Sequence, residues 1–297
     1  VHVTILSARE GWHTDELRRA LGAQAATTDV RPYETLVARL GGGSAAEGRT
    51  RPLHLEADAV LARIIPNGSL EQIIFRVDAL HWLEDSGVCV MNSPRAIERS
   101  VDKFYTSALL EQAGLPTPET VVCEHSEDAL RAFQGMGDVI VKPLLGSMGL
   151  GMVRVADEEM AWRVFRALDA IHAVYYLQRT IDHGGRDVRA IVVGDRVLGA
   201  MERRPSERGP KWRTDYSRGG RTTAFTLPAE WAELAVRAAH IVGADYAGVD
   251  LLPAPDGTVF VLEVNGIPGW HGLQVATGID VADAIVARLM QRLDGGG

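Results

Sequence analysis

Two late runs of the chain are apolar except where oxygen-bearing side chains interrupt them. The first, 248–252, carries Asp250 among Gly248, Val249, Leu251 and Leu252; the second, 260–265, carries Glu263 and then Asn265. Residues two apart on a strand share a face, so Glu263 and Asn265 point the same way. Carboxylates and an amide inside otherwise buried strands are costly unless paired or bound to a metal ion. The pattern therefore asks for two neighbouring strands that bring Asp250, Glu263 and Asn265 to one place. Hard oxygen ligands of this kind suit Mg²⁺, which also takes oxygens from nucleotide phosphates. The alternative is edge-strand polarity or a structural hydrogen bond.

The rest of the chain alternates strand and helix signals. Segments 3–6, 59–63 and 88–91 are short and β-prone, and acidic residues near Asp15 mark a helix start between the first two. Helix 73–83 follows the second. Such alternation predicts a small parallel sheet, whose ligands bind beyond the carboxyl ends of the strands. Arg9, Trp12, His13 and Arg63 lie near those ends, though Trp12 could equally pack and the arginines be solvated. A turn at Asn92, Ser93 and Pro94 closes this part. One helix is expected over 96–112, then strand 120–123, a helix near 127–134, and a hairpin formed by 139–142 and 152–155. A third part begins near Tyr175 with strands 174–178, 188–193 and 196–201, a helix over 229–242, the two apolar strands, and a closing helix over 280–293. The expected domains are 1–92, 93–175 and 176–297.

The hairpin bend at 146–151 holds three glycines, Gly146, Gly149 and Gly151, with Ser147 between them. Glycines let backbone N–H groups approach phosphate oxygens, and Lys142 at the end of the preceding strand adds a positive charge. The spacing matches neither a Walker A loop nor a dinucleotide fingerprint. A purely structural Gly-rich bend is the competing reading. A second basic group, Arg203, Arg204, Lys211, Arg213, Arg218 and Arg221, lies on or around the polar segment 205–220, too long for a tight turn. Arginine suits bidentate binding of carboxylate or phosphate, the alternative being a solvated basic loop. Gln178 and Arg179 end a strand where a segment joining two subdomains can read adenine through its backbone.

The formal net charge is −8, from 39 acidic and 31 basic residues, which disfavours nucleic acid or an anionic membrane as partner. No run approaches the roughly 18 apolar residues that span a bilayer. The two cysteines, Cys89 and Cys123, form no CxxC pair, and a reducing cytoplasm fits them. The histidines form no zinc motif.

Taken in order, Asp102 and Lys103, Val141 and Lys142 with the glycine loop, Gln178, the triplet 187–189, the triplet 202–204, the triplet 218–220, the triplet 248–250 and the triplet 263–265 resemble the ATP-grasp fold, and more narrowly the RimK-type α-L-glutamate ligases. The likeness runs from about Asn92 to the C-terminus, while the first domain resembles the family only in layout. It implies a mixed α/β and α+β architecture: an N-terminal small parallel-sheet domain and two ATP-binding subdomains. It also implies ATP with Mg²⁺ or Mn²⁺. Lys103 and Lys142 would hold the phosphates and the loop with Gly146, Ser147, Gly149 and Gly151 would close over them. Gln178 and Arg179 would line the adenine pocket, and Asp187 would sit near ribose or adenine. Asp250, Glu263 and Asn265 would hold one or two metal ions. Arg203 and Arg213 would meet the γ-phosphate, the acyl phosphate or the substrate carboxylate. Two positions depart from the pattern: Arg179 stands where a glutamate is usual, which leaves adenine contacts there to the backbone, and Asp215, among the nucleotide contacts, stands where an asparagine is usual, which changes a phosphate contact or adds a metal ligand.

The resemblance implies a carboxylate–amine ligase acting through an acyl phosphate, with a small-molecule carboxylate acceptor and an amino acid, glutamate first, as partners; a homo-oligomer is allowed for. Trp270, directly after the metal strand, could stack on a flat heterocycle such as a pterin, or pack in the core. The ending resembles members tied to tetrahydromethanopterin-type cofactor synthesis. Modification of a ribosomal or other protein tail, another amino acid, and a non-catalytic nucleotide sensor are the competing functions.

Overall fold

Asp102 breaks what the sequence presents as one helix. In the computed structural model, which describes residues 1–40, 53, 55–146, 149–207, 209–210, 212 and 220–295, the segment expected as a single helix over 96–112 is two, α3 (Pro94–Val101) and α4 (Lys103–Gln112). Asp102 takes an extended backbone and its carboxylate accepts from the Tyr105 N–H at 3.0 Å, capping α4. Lys103 thereby becomes the first residue of a helix.

Before this break the chain forms β1 (His2–Leu6), α1 (Trp12–Ala23), β2 (Thr27–Arg31), β3 (Ala59–Ala62), α2 (Leu70–Asp85) and β4 (Cys89–Met91). The four strands make an all-parallel sheet in the order β2-β1-β3-β4. Ser69 and Gln72 form a capping box at α2 and start it three residues earlier than the apolar pattern alone suggests. Alternate residues serve the two faces of the sheet. Val3, Ile5, Ala59 and Leu61 face one core, and Leu6, Val60, Ala62 and Val90 face another against α2.

After α4 come β5 (Thr120–Cys123), α5 (Ser126–Met136), β6 (Val139–Lys142), β7 (Val153–Val155), α6 (Glu158–Asp169) and β8 (Tyr175–Arg179). These strands form an antiparallel sheet in the order β5-β8-β6-β7. Val121, Val139, Val141, Tyr175 and Leu177 pack on α5 and α6. The opposite face presents Thr120, Lys142, Tyr176 and Gln178.

The last part contains β9 (Asp187–Val193), β10 (Arg196–Arg204), β11 (Arg221–Phe225), α7 (Ala229–Val242), β12 (Tyr246–Pro253), β13 (Val259–Asn265), α8 (His271–Thr277) and α9 (Val281–Gly295). Its sheet runs β11-β10-β9-β12-β13, antiparallel throughout. One face, including Val188, Ala190, Val192 and Val249, covers α7. The other carries Ile191, Val193, Met201 and Tyr246 into the core that β1, β3, α1 and α9 share. The final helix thus completes the core of the first sheet, and Arg19 on α1 ties to Asp280 and Asp283 beside it at 2.5 and 3.2 Å. Among the described residues no helix is long and apolar enough to cross a membrane.

Candidate active site

The apolar face of the five-stranded sheet changes character along its strands. Where Ile191, Val193 and Met201 give way to Asp187, Arg189 and Arg203, the same face becomes charged, with Asp187 and Arg203 buried and Arg189 half-buried. Register explains the grouping. Asp187 is opposite Arg203, Arg189 is opposite Asp250, and Asp250 is opposite Glu263. Arg189 donates to both Asp250 oxygens, Nε at 2.6 Å and a terminal nitrogen at 2.7 Å. Arg203 binds both Asp187 oxygens at 2.7 Å and reaches an Asp250 oxygen at 2.8 Å. Burial would raise the Asp250 pKa, but the two guanidiniums outweigh it and hold the carboxyl down at about 2. Arg203 is displaced upward, since its two carboxylate partners outweigh the burial that opposes its charge.

Glu263 stands apart from this network. It is half-buried, and its side chain makes no hydrogen bond or ion pair with a described residue. Its charge acts instead on two lysines from the middle part of the chain. Burial pushes Lys142 down to about 8, with Glu263 pulling the other way and Lys103 adding repulsion. Burial also lowers Lys103, again opposed by Glu263. The two lysines therefore lie near the acidic strands, and α4, which carries Lys103, packs against β13.

Lys142 lies on the open face of β6, donates to Gln178 Oε1 at 2.6 Å and sits 5.9 Å from the Tyr176 ring centre. Gln178 is fully engaged, its amide nitrogen reaching Thr120 Oγ1 at 3.1 Å and the Tyr176 hydroxyl at 3.3 Å. Lys103 Nζ donates to the carbonyl of Gly146 at 2.7 Å, which ties the start of α4 to the glycine bend. Within the bend Gly149 and Gly151 have φ of +63° and +76°. A Cβ on Gly151 would come within 2.8 Å of the Pro143 ring, so both space and backbone demand glycine there.

Several expected residues meet a different fate. Arg179 turns its side chain away from the Lys142 face, which leaves its backbone for any contact with adenine, as the departure from glutamate implies. It is on the helix-covered face, paired with Glu119 at 2.6 Å and donating to the Met136 carbonyl at 3.0 Å. Trp270 is fully buried, 4.8 Å under the Arg63 guanidinium and edge-on to His13, so it packs in the core and offers no stacking face to a heterocycle. The Trp270 backbone N–H donates to His13 Nε2 at 3.2 Å, and burial with nearby Arg63 pushes His13 down to about 4. Arg63 is held by Tyr246 and the Pro268 carbonyl. Ser147, Arg213 and Asp215, with Lys211 and Arg218, lie outside the described residues. Arg189 was part of the ordered motif without a role of its own; its spacing of two from Asp187 is the signal that sets it on the same face.

The oxygen set fits a hard divalent cation. Among the described residues the Glu263 carboxylate has no partner, and Asn265, on the same face, supplies an amide oxygen that accepts from the Ile267 N–H at 2.9 Å. Asp250 adjoins them but is bound by arginine. Among the described residues no group of three or more His, Cys, Asp and Glu is placed to hold a metal ion.

A family model described as the RimK-like ATP-grasp domain matches residues 100–289. A tetrahydromethanopterin:alpha-L-glutamate ligase of Methanosarcina acetivorans is 35% identical over 265 residues, covering 80% of this chain and 81% of its own. A protein of the same name from Methanococcus maripaludis is 31% identical over 287 residues and 95% of each chain. Among solved structures, ATP-grasp ligase PsnB complexed with a phosphomimetic variant of minimal precursor, Mg and ADP superposes with a TM-score of 0.76 over 98% of both chains, at 22% identity.

Proposed function

Because the chain belongs to the RimK-like ATP-grasp family, and is thus an ATP-dependent ligase, we propose that it adds L-glutamate to a small-molecule carboxylate such as a pterin cofactor precursor. The observation that carries the nucleotide site is the pair of lysines beside the glycine bend, Lys103 on the Gly146 carbonyl and Lys142 on Gln178, with α4 packed against the strand that carries Glu263. The acceptor assignment rests on the names of the two archaeal relatives, no longer on Trp270.

The chemistry follows from charge. A carboxylate oxygen of the acceptor attacks the γ-phosphorus of ATP, the bond to the bridging oxygen breaks, and ADP leaves. Anion meets anion in that step. Lys103 and Lys142 offset the repulsion, and the Gly146, Gly149 and Gly151 bend brings backbone N–H groups to the phosphates. Magnesium, held by Glu263 and Asn265 with Asp250 beside them, would supply further shielding of phosphate charge. The amine of glutamate then attacks the acyl carbon, loses a proton, and phosphate departs as the amide forms. Water must be kept out, since it would hydrolyse the acyl phosphate. Gln178 positions Lys142, and the face it shares with Tyr176 and Thr120 forms the wall on which the nucleotide rests.

The unit limit expected at 92/93 belongs to this reading, but the one expected at 175/176 would cut β8 (Tyr175–Arg179), which pairs with β5 and β6, so we set the second limit after Arg179. The free Cys89 and Cys123 suit a reducing compartment, and we place the protein in the cytoplasm.

The test is ADP release with glutamate and a panel of acceptors, pterin carboxylates and glutamate-ended peptides, with product masses determined. One glutamate residue gained by a pterin carboxylate is the expected product. Gain only on peptides would move the acceptor assignment to protein tails, and nucleotide binding without turnover would identify a sensor.

A further inference from the structure

We infer that Arg63, which follows β3, and His13, near the start of α1, are positioning residues that aim the Asn265 side chain at the metal. This rests on the reading of Glu263 and Asn265 as metal ligands. Asn265 ends β13, and its amide oxygen accepts from the Ile267 N–H at 2.9 Å. That bond takes one lone pair of the oxygen and leaves the other for a cation. The direction of the free lone pair therefore depends on where residues 266–268 run. The β13 ladder ends at Asn265, opposite Gly248, so the sheet does not hold them.

The first part of the chain holds that segment instead. Asn92 Nδ2 donates to the Gly266 carbonyl at 2.5 Å, Arg63 donates to the Pro268 carbonyl at 3.1 Å, and His13 Nε2 accepts from the Trp270 backbone N–H at 3.2 Å. The slot is close-fitting. A Cβ on Gly266 would come within 2.6 Å of Ser100 Oγ, and one on Gly248 within 2.9 Å of Pro268 Cβ. Arg63 is itself anchored: its N–H donates to the Leu6 carbonyl at 2.8 Å, and its carbonyl accepts from the Tyr33 hydroxyl at 3.0 Å. The residue is 2% exposed, yet its side-chain partners among the described residues are neutral, namely the Tyr246 hydroxyl, the Pro268 carbonyl and the Trp270 ring. Burying a cation among neutral groups opposes folding, so packing alone does not account for an arginine here. A methionine would fill the space but leave the Pro268 carbonyl without its donor.

Calorimetry of ADP binding to the full chain, once with Mn²⁺ and once in EDTA, tests this. The ratio of the two affinities measures what the metal adds. In R63M that ratio should fall at least about tenfold, as it does when a group that orients a metal ligand is removed. The affinity in EDTA should stay within about twofold of wild type, since Lys103, Lys142 and the glycine bend hold the phosphates. H13L removes the acceptor of the Trp270 N–H and should lower the ratio in the same direction. H13Q, whose amide oxygen can accept that N–H, should restore it. Unfolding is followed on every sample, and the histidine pair decides the matter should R63M not fold. An unchanged ratio in folded R63M or H13L would overturn the positioning role. So would an equal loss with and without Mn²⁺, which marks general damage, or an H13Q no better than H13L. N265A reads the metal assignment separately. A ratio that survives N265A would overturn Asn265 as a ligand, whereas one lost in N265A but kept in R63M and H13L would overturn the clamp alone.

Discussion

Asp250 and Glu263 stand opposite one another on β12 and β13, yet only Asp250 is bound by arginine. The two carboxylates should therefore respond differently to removal. Asp250→Ala leaves Arg203 and Arg189 buried without their shared counter-charge and should cost about 3–5 kcal/mol. Glu263→Ala breaks no pair and should cost less than about 1 kcal/mol. Denaturant unfolding of both variants checks this. The pH dependence has a definite sign. The folded pKa of Asp250 lies below the usual carboxylate range, so its contribution is complete above that range and is lost as the pH falls toward about 2.

Lys142 gives a second pH signature, on the alkaline side. Its pKa is lowered to about 8, mainly by burial, so the free protein loses this charge as the pH rises through that value. Phosphates bind the protonated form. Affinity for Mg·ADP should be level below about pH 8 and then fall, by up to about tenfold per unit, until the higher pKa of the complex is reached. Calorimetry from pH 7 to 9.5 (about the range of interest) measures it. Lys142→Met should bind weakly at every pH and show no such break. Without ligand the sign is opposite: stability gains between about 8 and the usual lysine range, as the cost of a buried ammonium disappears.

Arg179 should be dispensable for nucleotide binding. Its guanidinium is ion-paired with Glu119 on the face turned away from Lys142. Arg179→Ala should change stability by less than about 1 kcal/mol, as for other exposed pairs, and leave the dissociation constant for Mg·ADP unchanged within twofold, about the scatter expected of a remote site. A tenfold or greater loss (about 1.4 kcal/mol) would return its side chain to the adenine pocket.

These residues also show what a single sequence conveys. Period two placed Glu263 and Asn265 on one face, and the apolar surroundings of Asp250 and Glu263 marked two strands that do pair in the expected neighbourhood. The parallel first sheet followed from alternating strand and helix signals. Three features were not readable. Asp102 looks like an ordinary helical residue until its carboxylate caps the next helix. The side of β8 that Arg179 occupies depends on which face α5 and α6 cover, a matter of tertiary packing. Trp270 invited a ligand-stacking role because it follows the acidic strand, but the core shared by α1, α9 and the first sheet claims it. The arginine clasp on Asp250 belongs to the same class, since strand order, which sequence does not give, sets β9 beside β12.

The central claim is that Glu263 serves the nucleotide chemistry opposite Lys103 and Lys142 and has no part in holding the fold. The most direct measurement compares ADP formation by wild type and Glu263→Ala, with unfolding followed on the same samples. Turnover should fall by at least about a hundredfold while the unfolding midpoint stays close to that of wild type. Near-normal turnover by a folded Glu263→Ala protein would contradict the account.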